Sequence, residues 1–338
     1  MSAIELLYQA ALEMSSDRTL IVNAHAHALL TTISQRTGCT ELQQYFKPEH
    51  TAVANLGLSI SADWPANNQT YKLILMLPAK NKQQTLAWMA ESMNKLANGG
   101  NLLLACANSH GAKSYESALK KLAGNICSRS KSKCRIFSAQ HSSSLNNQLA
   151  TQWIEAGKPR RMDAHGLIAC PGLFSWDRAD TGSSLLIEQL PELHGTGMDL
   201  CCGYGLLSEY ILRQSCGIDR LHLIEADKLA LDCARKNTQA WSSHIQYHWI
   251  DAAHDALPDN LDWIVCNPPF HSGQTRDVAL GQSIVTRACR SLKKGGEIYL
   301  VANRKLPYEQ LLRSELQQCQ TLIETSGFKV IKGKRSNA

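Results

Sequence analysis

The chain has no run approaching the roughly 20 consecutive apolar residues that a membrane-spanning helix needs. None of its 12 cysteines stands in a C-x2-C pair, and Cys201 and Cys202 are adjacent. The first absence argues against a membrane protein. The second leaves poor geometry for zinc or a disulfide framework, so no metal is expected. Cys106, Cys216, Cys233, Cys266 and Cys289 sit inside apolar runs, which predicts small, reduced, buried side chains in a cytoplasmic protein. The N-terminal stretch MSAIELLYQAALEMSSD lacks a basic segment with a cleavage site, so no signal peptide is expected. Its Ile4, Leu7, Ala11 and Met14 have the spacing of an amphipathic helix.

At 338 residues the length suggests two domains. An apolar fraction of 44% and a charged fraction of 19% are ordinary for a globular protein. The net charge of +6 is mild, but its sources cluster: RSKSKCR at 129–135, GKPRR at 157–161 and KVIKGKR at 329–335. Clustered cations favour a polyanion through counterion release, which points toward nucleic acid. The stretch from Ser142 to Asp163 is polar and basic and reads as a connection. A domain boundary is expected near 150–165.

The halves look related. YKLILMLPAK (71–80) and LDWIVCNPPF (261–270) are apolar runs that end at Pro78 and Pro268. Each precedes a helical stretch, a Gly-Gly pair (Gly99-Gly100, Gly295-Gly296), a second apolar strand, and then a Tyr-Glu pair (Tyr115-Glu116, Tyr308-Glu309). Where the second half has Asn267 the first has Leu77, and no glycine turn follows TLIVNA. A duplication is therefore expected, with the chemistry lost from the first copy.

After residue 195, strands and helices alternate as in a doubly wound, mostly parallel sheet. Such sheets bind ligands beyond the carboxyl ends of their strands. Every candidate residue falls at such an end. Asp199-Leu-Cys201-Cys-Gly203-Tyr-Gly205 is a strand-to-helix turn whose glycines let a ligand approach the backbone. Glu225 ends LHLI, about where a ribose diol is held, with Asp227 as a competitor. Asp251 ends QYHWI, placed to accept from an adenine amino group.

The fourth strand stops on Asn267-Pro268-Pro269-Phe270. Proline has no N–H, so the segment offers acceptors, the Asn267 amide and the Pro268 carbonyl, and few donors. Converging acceptors suit an exocyclic amine, whose lone pair is delocalised until hydrogen bonds favour its pyramidal form. Phe270 supplies a stacking face for a flipped base. His271 follows, with no assignable partner beyond the substrate side of the site.

Together the glycine turn, Glu225, Asp251 and NPPFH resemble a class I S-adenosyl-L-methionine-dependent methyltransferase of the amino-methylating kind. With CPGLFSWDRADTGSSLL (170–186), LKKGGEIYLVAN and LPYEQLL, the chain is similar to the ribosomal RNA small subunit methyltransferase C family, most closely over 165–332. The resemblance implies an α/β fold of two tandem Rossmann-like class I methyltransferase domains, each a mostly parallel seven-stranded sheet. Residues 1–155 would be a degenerate copy that docks RNA without cofactor, and 165–338 the catalytic domain. It implies S-adenosyl-L-methionine as cofactor, 16S rRNA of the small ribosomal subunit as substrate, and a monomeric cytoplasmic enzyme that methylates guanine N2. Asp199, Cys201, Gly203, Gly205, Glu225, Ala226, Asp251, Ala252 and Asn267 fall on cofactor positions. Asn267 to Phe270 fall on the catalytic loop. Phe174, Ser175, Phe270 and His271 fall near the base, and Asp180 and Gly182 match a D-x-G-S segment. Two departures stand out: Cys201 replaces the first glycine of the turn, and Tyr204 fills a position that is usually small. A left-handed backbone at Cys201 would cost on the order of 1 kcal/mol. The motif alone leaves open a large-subunit rRNA guanine methyltransferase, an adenine N6 enzyme, or a non-catalytic RNA-binding assembly factor.

Overall fold

A computed structural model describes residues 1–36, 38–66, 69–269 and 275–337. The chain divides into two compact units, Met1–Lys158 and Pro159–Ala338. Among the described residues no helix is long and apolar enough to cross a membrane.

The first unit runs α1 (Ala3–Leu12), β1 (Arg18–Val22), α2 (Ala28–Arg36), β2 (Cys39–Gln43), α3 (Lys47–Ala54), β3 (Tyr71–Met76), α4 (Lys82–Lys95), β4 (Leu96–Ala107), α5 (Ala112–Ala123), β5 (Cys127–Lys131), β6 (Cys134–Gln140) and α6 (Asn147–Gly157). Its six strands lie in the order β2-β1-β3-β4-β6-β5, parallel as far as β4 and antiparallel beyond. Side chains alternate across the sheet. Leu20, Val22, Ile74 and Met76 pack with Trp88, Met89 and Met93 of α4, whereas Ile21, Leu73 and Leu75 pack with Leu6 and Leu7 of α1 and Leu30 and Ile33 of α2.

The second unit opens with a two-stranded ribbon, β7 (Arg160–Arg161) and β8 (Ile168–Ala169). Then come α7 (Thr181–Gln189), β9 (His194–Leu200), α8 (Leu206–Gln214), β10 (Gly217–Glu225), α9 (Lys228–Asn237), β11 (Ile245–Trp249), β12 (Leu261–Cys266), α10 (Thr275–Ser291), β13 (Leu292–Asn303), α11 (Tyr308–Glu315), β14 (Gln318–Thr325) and β15 (Phe328–Lys334). Its seven strands lie in the order β11-β10-β9-β12-β13-β15-β14. Met198, Leu200, Ile264, Cys266, Ile298 and Leu300 face α10 and α11, and Leu223, Trp263, Val265 and Tyr299 face the opposite side with α7, α8 and α9.

The two sheets carry the same irregularities. β3 and β4 slip register between Tyr71 and Leu73, and β12 and β13 slip between Leu261 and Trp263. Gly99 and Gly295 both take positive φ, at 75° and 74°. A Cβ on Gly100 would lie 2.9 Å from the Tyr71 carbonyl, and one on Gly296 would lie 2.7 Å from that of Leu261. The Tyr-Glu pairs also match: Glu116 pairs with Arg135, and Glu309 with Lys329 at 2.6 Å. These shared details are what a duplication leaves behind. The first sheet has six strands because its counterpart of β11 is reduced to a single bridge between Gln43 and Ser61.

Three sequence expectations need correction. The polar stretch after Ser142 contains α6, which packs Ala150, Leu149, Trp153 and Ile154 on the first core; their helical spacing outweighs the polar composition. The basic run 329–335 is not a free cationic surface. Lys329 is buried against Glu309, Lys332 and Lys334 pair with Glu297, and Arg335 donates to backbone carbonyls. Cys216 is exposed, because it lies in the turn between α8 and β10 rather than in either element; Cys106, Cys233, Cys266 and Cys289 are buried thiols.

Candidate active site

The carboxyl ends of β9, β10 and β12 converge because these strands are adjacent and parallel. Beyond β9 the chain turns sharply at Cys201, whose φ is +61°, so a non-glycine residue does occupy the left-handed region there. Gly203 follows at +56°, and a Cβ there would meet nothing within 4 Å. Its backbone is therefore open to a ligand. Gly205, at +86°, is different: a Cβ would come 3.1 Å from that of Ala234, so this glycine serves helix packing.

Glu225 is half-buried and reaches across to this turn. Its Oε2 accepts from the Gly203 N–H at 2.8 Å, and Oε1 accepts from those of Ala226 and Asp227 at 2.8 and 2.9 Å. Burial raises its carboxyl above the usual range, against the pull of those three donors. Three of about four acceptor sites on the carboxylate are thus filled, which leaves capacity for a hydroxyl. Asp227 does not compete for the same role. It caps α9, accepting from the Leu229 and Ala230 N–H groups at 2.8 and 3.3 Å. Burial, and then the Glu225 charge, push it up to about 7.

Asp199 is fully buried beneath the turn. Ser208 donates to its Oδ2 at 2.5 Å, while Oδ1 has no partner among the described residues. Burial pushes it up to about 7, with the Ser208 bonds opposing and the Glu225 charge adding. An unpartnered buried carboxylate oxygen next to an open glycine backbone fits a ligand bearing positive charge or N–H donors. S-adenosylmethionine, with its ammonium and sulfonium, is such a ligand. At the next strand end, Asp251 accepts from the Ala253 N–H at 3.0 Å and shares a 2.8 Å contact with His254 Nδ1. Ala252 is buried, its carbonyl accepting from Arg287.

Asn267 leaves the end of β12 half-exposed. Its Nδ2 donates to Asp180 Oδ2 at 3.0 Å and to Ser183 Oγ at 2.9 Å. Its Oδ1 accepts no hydrogen bond among the described residues, and it stands next to the buried Pro268. Asp180 is the N-cap of α7, where Oδ2 also accepts from the Ser183 N–H at 2.7 Å. The sequence placed Asp180 only in a D-x-G-S segment; neither its cap nor its bond to Asn267, 87 residues away, was read there. Ser175, with φ +47°, donates to Asp180 Oδ1 at 3.5 Å, and the neighbouring Phe174 is 60% exposed. Pro269 is exposed. Phe270 and His271 lie outside the described residues.

Tyr204 does not enter this space. It stacks on His165 with centroids 4.8 Å apart, donates to the Ser175 carbonyl at 3.4 Å, and packs among Leu167, Cys170 and Leu173. Its bulk ties the segment ahead of α7 to the glycine turn.

Fold and strand-end groups together define the class: two tandem domains of methyltransferase fold, the first degenerate. The Methyltransferase small domain family matches residues 165–332, and its N-terminal domain family matches residues 5–156. The chain belongs to the ribosomal RNA small subunit methyltransferase C family. It is 28% identical to the protein of that name from Psychromonas ingrahamii over 77% of this chain and 75% of that one. It is 36% identical to the one from Pseudomonas aeruginosa over 50% of this chain, and spans about half that relative's length, 51%. The solved T. thermophilus 16S rRNA N2 G1207 methyltransferase, in complex with AdoMet and guanosine, superposes with a TM-score of 0.83 at 23% identity, covering 99% of this chain and 92% of that one. That likeness establishes the fold.

Proposed function

We propose that this chain transfers the methyl group of S-adenosylmethionine to the N2 amine of a guanine in 16S rRNA. The observation that carries the reading is the Asn267 amide, whose nitrogen is committed to Asp180 and Ser183, so that its oxygen remains for a donor arriving at the end of β12. When bound, S-adenosylmethionine supplies an electrophilic methyl on a sulfonium. Gly203 offers its open backbone to that cofactor, Glu225 a hydroxyl acceptor and Asp199 a buried negative oxygen. Asp251 and Ala252 flank the adenine end.

Asn267 Oδ1 and the Pro268 carbonyl accept the two protons of the exocyclic amine. This favours its pyramidal form and stabilises the positive charge that grows on nitrogen during transfer. Methyl transfer precedes proton loss, so no general base is needed before attack. Phe174, exposed ahead of α7, supplies an apolar wall for the base; Phe270, Ser175 and His271 complete the substrate side of the proposal. The basic hairpin turn between β5 and β6 attracts rRNA phosphates without reading sequence. The enzyme acts as a cytoplasmic monomer without metal.

The test is tritiated methyl transfer to 16S rRNA and to small subunits, with nucleoside mass analysis of the product. N2-methylguanine from the wild type and none from Asn267→Ala is expected. Another modified nucleoside, or turnover by Asn267→Ala at the wild-type rate, overturns the proposal.

A further inference from the structure

The opening turn of α7 is more than a helix start. We infer that Asp180 and Ser183 are positioning residues that fix which end of the Asn267 amide faces the substrate. The inference rests on the proposed function and deepens it.

The two ends of an amide have nearly the same shape but opposite hydrogen-bonding character. Only the oxygen serves an incoming amine; the NH2 end would set donors against donors. A carboxylate accepts and cannot donate, so the atom 3.0 Å from Asp180 Oδ2 has to be the nitrogen. Ser183 Oγ takes the second proton of that NH2 at 2.9 Å. Both acceptors are themselves held. Ser183 is buried, and Asp180 Oδ2 is anchored by the Ser183 N–H at 2.7 Å. The other oxygen, Oδ1, is touched by Ser175 at 3.5 Å, next to the exposed Phe174. One carboxylate therefore links the amine acceptor to the candidate wall for the base. The D-x-G-S segment thereby has a task in the reaction that a helix cap alone does not require.

Capping and positioning separate by substitution. Asp180→Asn keeps an acceptor of the same length. Asp180→Ser keeps a good cap, but its oxygen is one bond shorter and cannot also reach Asn267. We expect Asp180→Asn to keep kcat within a few-fold. Asp180→Ser and Ser183→Ala should each lower kcat markedly, and the Asp180→Ser/Ser183→Ala double variant on the order of 100-fold. In all of them, calorimetric affinity for S-adenosylmethionine and KM for RNA should stay within about twofold. A readout apart from activity is the Asn267 side-chain 15N–H2 signal of the full chain, assigned by its loss in Asn267→Ala. Its solvent exchange should be slow in the wild type and in Asp180→Asn, and fast in the double variant. Wild-type kcat in Asp180→Ser, with Asn267→Ala inactive, overturns the inference alone. So does an equal loss in Asp180→Asn, or a loss of cofactor affinity in Asp180→Ser. If Asn267→Ala is itself active, the proposed function falls instead.

Discussion

The strand ends of the two units differ in a way that shows how a site is closed. Register places Ile21, Asn23 and Gln44 where the second unit has Asp199, Cys201 and Glu225, and Leu77 and Pro78 where it has Asn267 and Pro268. Backbone conformation is kept: Asn23 has φ +54°, close to the +61° of Cys201. Contacts are kept too. Gln44 Oε1 accepts from the N–H two residues on, as Glu225 Oε1 does. What changes is where the polar atoms go. Asn23 Nδ2 donates to the carbonyls of Leu77 and Pro78 at 3.3 Å, and Gln44 Nε2 donates to Asn23 Oδ1 and the Ala24 carbonyl at 3.0 Å. The carbonyl that the second unit is proposed to offer a base is consumed here by a resident amide. An acid, an open glycine and a half-exposed amide have become a buried neutral network, which satisfies itself and needs no ligand.

The largest expected effect comes from copying the closed unit into the open one. Asn267→Leu, the residue type at the matching position, should reduce single-turnover methyl transfer on the order of 10²–10³-fold with the denaturation midpoint little changed. Its mirror, Leu77→Ala, should cost about 2–5 kcal/mol of stability, as truncating a buried leucine does, and leave turnover per folded molecule intact. Loss of turnover in the second, or its retention in the first, would break the comparison.

Next is the acid. Glu225→Gln removes a charged acceptor held by three backbone N–H groups and should weaken S-adenosylmethionine binding by about 1.5–3 kcal/mol, read by calorimetry. Gln44→Ala should leave that affinity unchanged, although it destabilises the first unit.

A smaller effect sharpens the shared turn. Cys201→Gly should raise stability by about 1 kcal/mol by relieving the left-handed conformation. Asn23→Gly should lower it, because it removes the side chain that bonds Leu77, Pro78 and Gln44. Denaturant midpoints decide both.

A further effect is in pH. Asp199 and Asp227 are pushed up to about 7 by burial, whereas an unfolded aspartate titrates near 4. Between these values the folded chain holds more protons than the unfolded one, so stability falls as pH rises through that window and levels off above it. Asp199→Asn should flatten the slope. Hydrogen exchange, corrected for intrinsic rate, should show the decline in β9 and β10 and not in β1 and β2, where the matching positions are neutral.

The sequence disclosed most where chemistry is written in contiguous residues. The alternation after residue 195, the glycine turn, the acids at strand ends and the Asn-Pro-Pro segment all depend on local order, and each lies at a strand end. The strain at Cys201 was readable as well, because only the left-handed region fits a residue at the first glycine position. What escaped depends on long-range contact. Asp180 and Asn267 meet only once α7 packs on β13 and β15. The neutralisation of Lys329, Lys332 and Lys334 needed their partners Glu309 and Glu297. The plug of Asn23 and Gln44 could not be read because a buried amide and a surface amide are written alike. α6 was hidden by its polar neighbours, although Leu149, Ala150, Trp153 and Ile154 carry a helical stripe.

The comparison rests on one site being open and its copy closed, and cofactor stoichiometry measures that directly. Calorimetric titration of the full chain with S-adenosylmethionine should give one molecule bound per chain, with binding weakened by Glu225→Gln and untouched by Gln44→Ala. Two molecules per chain, none, or binding that follows Gln44 rather than Glu225 would contradict the account.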